Sequence, residues 1–312
     1  MSTPIDIKFA PTYELINSLH TYLCRIWHKR IDLGADWHAG VRDRLSPGFR
    51  SHLDASELRP EWRFVYLLAH LYPGRGGPAS FLDWLEELSP GDMYELLAPR
   101  LPAVTGDLAG LQQWLAGLLR PWYEQYFADF DQDMLVRLEQ AAGRHRALLG
   151  TLPPAELAEE LTNGLRFEED GGIRQFVLTP QYHFQPGNVF YLYGGGLLLC
   201  QYPADLHAPQ PDDGPSPPLY RTLRSLGERS RLRILRYVSG GPRSFTDILR
   251  HVGLSKGITH EHISNLRCAG LLRAHVVGEN VTVFSLRSSA VIRLQEQLLS
   301  YVEGDADNSH DV

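Results

Sequence analysis

Through most of the first 165 positions, apolar residues recur at three- and four-residue steps, the spacing of one helix face. Ile16, Leu19, Leu23, Ile26 and Trp27 set this pattern near the start. The same spacing predicts helices over 60–71, 80–88, 108–119 and 122–149. Proline and glycine break it at 46–48, 72–78, 89–91 and 152–154. Between residues 172 and 201 the pattern shortens to runs of branched and aromatic residues. These predict three short strands, 173–179, 188–193 and 197–201, the last two joined across Gly194, Gly195 and Gly196. The stretch HAPQPDDGPSPP over 207–218 lacks periodicity and predicts a semi-rigid linker or an exposed strap.

Helical spacing resumes after the linker in shorter pieces. SLGERSRLRILRYV is followed by SFTDILRHV, then by SKGITHEHISNLRCAGLL, and RAHVVGENVTVFSL closes the series as a hairpin. A helix, a second helix, a tight turn, a longer helix and two strands form the pattern of a winged helix-turn-helix. Ser244 and Asp247 form a capping box that starts the second helix. Gly253 suits a left-handed helix end, and Ser255 caps the third helix. The fold class expected is mainly α: a helical N-terminal region with a small antiparallel sheet, followed by a C-terminal winged helix-turn-helix. The corresponding divisions are 1–165 helical, 166–206 a small β-sheet packed on that region, 207–218 linker, 219–303 winged helix-turn-helix, and 304–312 an acidic disordered tail.

Composition changes this picture in two places. The 312 residues carry a net charge of −7, an unpromising average for a partner of nucleic acid. The charge is uneven, however. Residues 221–273 hold ten arginines and one lysine against Glu228, Asp247 and Glu261, a net +8, and residues 1–220 carry −11. Basic charge is therefore concentrated on the winged helix, where phosphate binding requires it. Cys24, Cys200 and Cys268 lie far apart, and there is no long apolar run and no secretory leader. These features point to a reduced, cytoplasmic protein that does not use a membrane.

SLGERSRLRILRYV resembles the opening helix of ArsR-type regulators, usually close to LGDPTRLRILRLL. LSKGITHEHISNLRCAGLL is similar to that family's LSQPTVSRHLKVLREAGLV. The resemblance covers residues 219–302 and implies a DNA-binding transcriptional regulator, by family habit a homodimeric repressor. It places Arg231 in the family's arginine slot and His262 in its histidine slot. The DNA-reading positions then fall on Lys256, Gly257, Ile258, His260 and Glu261. Ser255 and Ser264 on the same helix, Arg267 at its end, and Arg273 and His275 beside the wing complete the expected double-stranded DNA contacts. Thr259 departs from the family's buried Val or Ile, Arg229 replaces a helix-starting proline, and the wing turn Gly278, Glu279, Asn280 lacks arginine. The resemblance also implies a dimer seam along 218–226 and 290–302, with Leu294, Leu298 and Tyr301 on one stripe.

Other chemistry is sparse. The second reader helix has no cysteine and the last helix no histidine–carboxylate cluster, so the family's metal sites are not expected. His20, Cys24 and His28 at four-residue steps span too far along a helix to share one ion. No GxSxG, HExxH, Walker A or GxGxxG motif occurs, so neither an enzyme nor a cofactor is expected. The densest polar group of the N-terminal region is Gln181, Tyr182 and His183 after the strand FVLTP. These are candidate contacts for an unknown small-molecule effector. A winged-helix scaffold that does not read DNA, or an enzymatic N-terminal domain fused to a reader, are the alternatives.

Overall fold

The computed structural model describes residues 3–101, 106–168, 171–206 and 214–303. In chain order the elements are β1 (Ile5–Ile7), α1 (Pro11–Leu23), α2 (Gly34–Arg44), α3 (Pro47–Ala55), α4 (Arg63–Leu71), α5 (Pro78–Glu87), α6 (Pro90–Leu97), α7 (Leu108–Gln125) and α8 (Gln132–Arg146). There follow α9 (Pro154–Leu161), β2 (Leu165–Phe167), β3 (Gln175–Gln181), β4 (Val189–Tyr193) and β5 (Leu197–Pro203). The C-terminal part comprises α10 (Pro217–Leu226), α11 (Arg229–Ser239), α12 (Phe245–Val252), α13 (Lys256–Cys268), β6 (Leu272–Val277), β7 (Asn280–Leu286) and α14 (Ser288–Glu303). None of these helices is long and apolar enough to cross a membrane. The chain forms two compact units. The larger comprises 2–154 and 172–206, and the smaller comprises 155–171 and 207–312.

In the larger unit, helices surround a four-stranded sheet of order β1-β3-β5-β4. Every residue of α1 from Thr12 to Leu23 is buried, although six of them are polar. Leu15, Ile16 and Leu19 of that helix meet Tyr66, Phe81, Leu118 and Trp122 in one core. Ile26, expected on the same face, is 78% exposed, because α1 ends at Leu23 and a 3-10 turn redirects the chain. His20, Cys24 and His28 therefore do not share one helix, and the His28 ring lies 4.1 Å from that of His38.

Two boundaries differ from those the spacing predicts. α7 runs through Pro121 to Gln125, and the break before α8 falls ten residues past that proline, where Asp131 accepts from the amides of Asp133 and Met134. A proline removes one helical hydrogen bond, and burial of Leu118, Leu119 and Trp122 on either side holds the helix together across it. The expected antiparallel sheet is mixed: β1–β3 and β3–β5 run parallel, and only the β4–β5 hairpin is antiparallel. β1 is three residues near the start of the chain, too short to show a period, and it adds to β3 with Ile5 opposite Phe176.

Residues 166–206, expected as one sheet, divide between the units. β2 pairs in parallel with β6, setting Leu165 opposite Ala274 and Phe167 opposite Val276, so it belongs to the C-terminal sheet β2-β6-β7. With α9 it forms a strap on the smaller unit. The expected linker falls partly, and the acidic tail wholly, outside the described residues; the described part of the linker span already contains the first two residues of α10.

Candidate nucleic-acid interface

The smaller unit is built on α11, α12 and α13, whose apolar sides meet at Ile234, Val238, Ile248, Val252, Ile263 and Leu266. Leu271 and Leu272 close this core from the hairpin side. Local chemistry fixes each junction. Ser244 and Asp247 form the capping box at the start of α12, and the Ser244 hydroxyl holds the Asp247 carboxyl below the usual range. Gly253 ends that helix in the left-handed region at φ 70°. Ser255 then caps α13 by accepting from the Ile258 amide at 3.3 Å.

This geometry leaves the first two turns of α13 facing outward. Ser255, Lys256, Gly257, Ile258, His260 and Glu261 are all exposed, and Ser264 is half-buried farther along the helix. A helix N-terminus carries partial positive charge and free amides, which suit phosphate. Lys256 adds a full charge, His260 a ring nitrogen, and Ile258 an apolar surface of the kind that meets a thymine methyl. A Cβ placed on Gly257 meets nothing within 4 Å, so packing does not require glycine here, and its bare backbone permits close approach.

The other three expected contacts are held by the protein itself. Arg267 donates to the carbonyls of Asn163 at 2.5 Å and Thr162 at 3.0 Å, beyond the C-terminal end of α9. Arg273 pairs with Glu159 at 2.7 Å. His275 lies between Glu168, 2.6 Å from Nδ1, and the Ser285 hydroxyl, 2.8 Å from Nε2. Arg267 at the end of the helix and Arg273 and His275 beside the wing were expected to contact DNA; apart from Ser285 on β7, their partners lie on the strap, more than 100 residues away in sequence. Arg231 donates to the Arg224 carbonyl, and Arg233 donates to the carbonyls of His251 and Val252 at the end of α12. Much of the +8 charge thus has structural work. Arg250, exposed in the last turn of α12, is a cation at the turn of the helix-turn-helix that helical spacing did not single out.

Thr259 is fully buried, as its family position implies, but its hydroxyl has no hydrogen-bond partner among the described residues. Along α14, Leu294 is buried and Leu298 half-buried against the unit's own helices. The outward apolar residues are Val291, Ile292, Leu299, Tyr301 and Val302, with Tyr220 exposed on α10. The stripe expected as a dimer seam is therefore rotated: only Tyr301 of the three lies on the open face.

The polar group of the larger unit is turned inward. Gln181 accepts from Asn17 Nδ2 and the Phe184 amide and donates to the Gly187 carbonyl. The amides of Tyr182 and His183 donate to the Glu14 carboxylate, and His183 Nδ1 lies 2.5 Å from Glu14 Oε1. Glu14 and His183 are both fully buried. With Nδ1 on the carboxylate, His183 Nε2 accepts from the Tyr126 hydroxyl at 2.7 Å, and that oxygen accepts from Trp37 Nε1 at 2.9 Å. Burial raises the Tyr126 phenol above its usual range, so the hydroxyl stays protonated. Glu14, Tyr126 and Trp37, the partners of His183, lie on three separate helices and turns, and no local motif connects them.

No curated protein and no solved structure matches this chain. Residues 228–274 match the family model described as bacterial regulatory protein, arsR family, and the N-terminal region matches none. The α11–β6 segment is thus similar to the helix-turn-helix of arsR-family regulators, which supports a DNA-binding regulator in general.

Proposed function

We propose that the protein is an ArsR-type transcriptional regulator, a repressor by family habit, that binds operator DNA as a homodimer and takes its signal through the larger unit. The observation that carries this reading is the outward N-terminus of α13, where Lys256, Ile258 and His260 stand exposed on a helix fixed by the Ser255 cap. The open apolar residues of α14 and Tyr220 of α10 support a second copy as the partner. Two-fold symmetry then calls for an inverted repeat with half-sites about 34–36 Å apart. No catalytic step and no bound cofactor is part of the proposal. A small-molecule effector would act by binding two conformations unequally, shifting the population that fits the operator.

The test is titration of the full chain against the DNA upstream of its own gene and against random DNA, at several salt concentrations. Log affinity should fall with log salt at a slope of about −0.9 per neutralised phosphate. Joint replacement of Lys256 and His260 by alanine should abolish the preference for the upstream DNA while circular dichroism stays unchanged. Equal affinity for both DNAs in the unsubstituted protein would leave the winged helix as an interaction scaffold.

A further inference from the structure

The hydrogen-bonded series from Glu14 to Trp37 ends at a cleft that DNA binding does not use. Between α2 and the turn joining α7 to α8, the larger unit encloses about 390 Å³, within the size range of small-ligand sites. Trp37, Val41, Tyr126 and Phe130 form its apolar wall. The Phe130 ring also lies 4.7 Å from the buried His183 ring and Trp37 lies 5.5 Å from it, so this wall rests directly on the polar core.

Three charged groups line the same cleft. Arg44, in the last turn of α2, is exposed and has no ion pair or side-chain hydrogen bond among the described residues. It lines the cleft together with Tyr126. Asp129 is likewise exposed and without a side-chain partner among the described residues. Asp131 also lines the cleft, its Oδ1 engaged by the amides of Asp133 and Met134, which fixes the carboxylate in place.

We infer that this cleft binds a small zwitterion of amino-acid size with an aromatic or bulky apolar side group. Arg44 takes the carboxylate, Asp129 and Asp131 take the ammonium group, and the side group lies against Trp37, Val41 and Phe130. A simple anion would face two carboxylates, and a simple cation would face an unpaired guanidinium. Only a ligand bearing both charges satisfies all three groups, and exclusion of singly charged molecules follows from the same arrangement. The aromatic wall supplies the apolar contact, and stacking rings favour a planar side group. Contact with Tyr126 places the ligand one hydrogen bond from His183 and two from Glu14 in the first turn of α1. Binding itself is independent of the regulator reading; a role as effector rests on it.

Calorimetric titration of the full chain with L-phenylalanine, L-leucine and L-tryptophan tests the site, with 3-phenylpropionate and 2-phenylethylamine as singly charged counterparts of phenylalanine. At least one amino acid should bind saturably, and for phenylalanine each counterpart should bind at least about tenfold more weakly, a difference of about 1.4 kcal/mol. Arg44→Gln and Asp129→Asn, both at exposed positions, should each weaken the amino acid about tenfold with an unchanged melting curve. Absence of heat from all three amino acids, equal binding of a singly charged counterpart, or unchanged affinity in both variants overturns the inference. Affinity for the upstream DNA is measured separately on the same preparation. DNA binding without amino-acid binding removes the site and leaves the regulator, and the reverse result removes the regulator and leaves the site.

Discussion

At single residues, the structure turns four side chains into measurable quantities. The Thr259 hydroxyl is buried in α13 without a partner among the described residues. An unsatisfied buried polar group costs about 1–3 kcal/mol, and an apolar group of the same shape avoids that cost. Thr259→Val should therefore raise stability by about 1 kcal/mol in denaturant melts, and a loss of stability would mean that the hydroxyl is satisfied. His20 is enclosed by Tyr66 and Phe184, and burial lowers it to about 4. His38 and His70 are also lowered to about 4, chiefly by burial and secondarily by neighbouring positive groups. Each has a folded value below the roughly 6.5 of the unfolded chain, so the unfolded state takes up protons first as the pH falls. The stabilisation from keeping these rings neutral is complete above about pH 6.5 and is lost as the pH drops towards 4. Melting temperature should fall across that window. In His20→Leu, proton uptake on unfolding near pH 5 should decrease by about one; an unchanged uptake would show that His20 is protonated in the fold.

Among the elements, what could be read locally was read, and what depended on distant partners was not. α12, its capping box, the left-handed Gly253 and the Ser255 cap follow from a few adjacent residues and stand where their spacing puts them. The strap could not be found that way. β2 is three residues long and gains its place only by pairing with β6 more than 100 positions later. Its partners were misread for the same reason: Arg267, Arg273 and His275 look available until Thr162, Asn163, Glu159 and Glu168 are set beside them. Arg287 is the strongest case. It is 1% exposed, bonds Glu160 at 2.5 Å and Asn163 at 2.9 Å, and lies 3.8 Å from Glu159. Glycine at 164 and 270 permits this closeness; a Cβ on Gly270 would lie 2.1 Å from Asn163 Oδ1. Removing one member of a buried ionic cluster costs about 3–5 kcal/mol because its partners stay desolvated. Glu160 keeps Arg293 as a second partner, so Arg287→Ala should fall near the lower end, about 3 kcal/mol in thermal or denaturant melts of the full chain. A loss under 1 kcal/mol would show that the strap is only loosely seated.

For the whole molecule, the decisive property is how charge and chain are divided between the units. Within its own unit, Arg273 of the basic stretch 221–273 is answered by Glu159 of α9, while Lys256 and Arg250 stand among its exposed cations. The chain also leaves the larger unit at 154, lays the strap, and returns at 172 before its final departure. The DNA-reading unit is thus discontinuous in sequence, and its family match over 228–274 marks only the middle of what must fold together. The practical consequence concerns where the protein can be cut. A fragment spanning 214–303 preserves α10 to α14 yet loses α9, strips β6 of one neighbour and leaves Arg267, Arg273 and Arg287 without their acceptors. An open strand edge beside unpaired buried cations favours self-association. Such a fragment should aggregate or melt well below the full chain in light-scattering and thermal assays, and adding residues 155–168 as a separate peptide should restore it. The smallest autonomous form of this reader is therefore two pieces of chain.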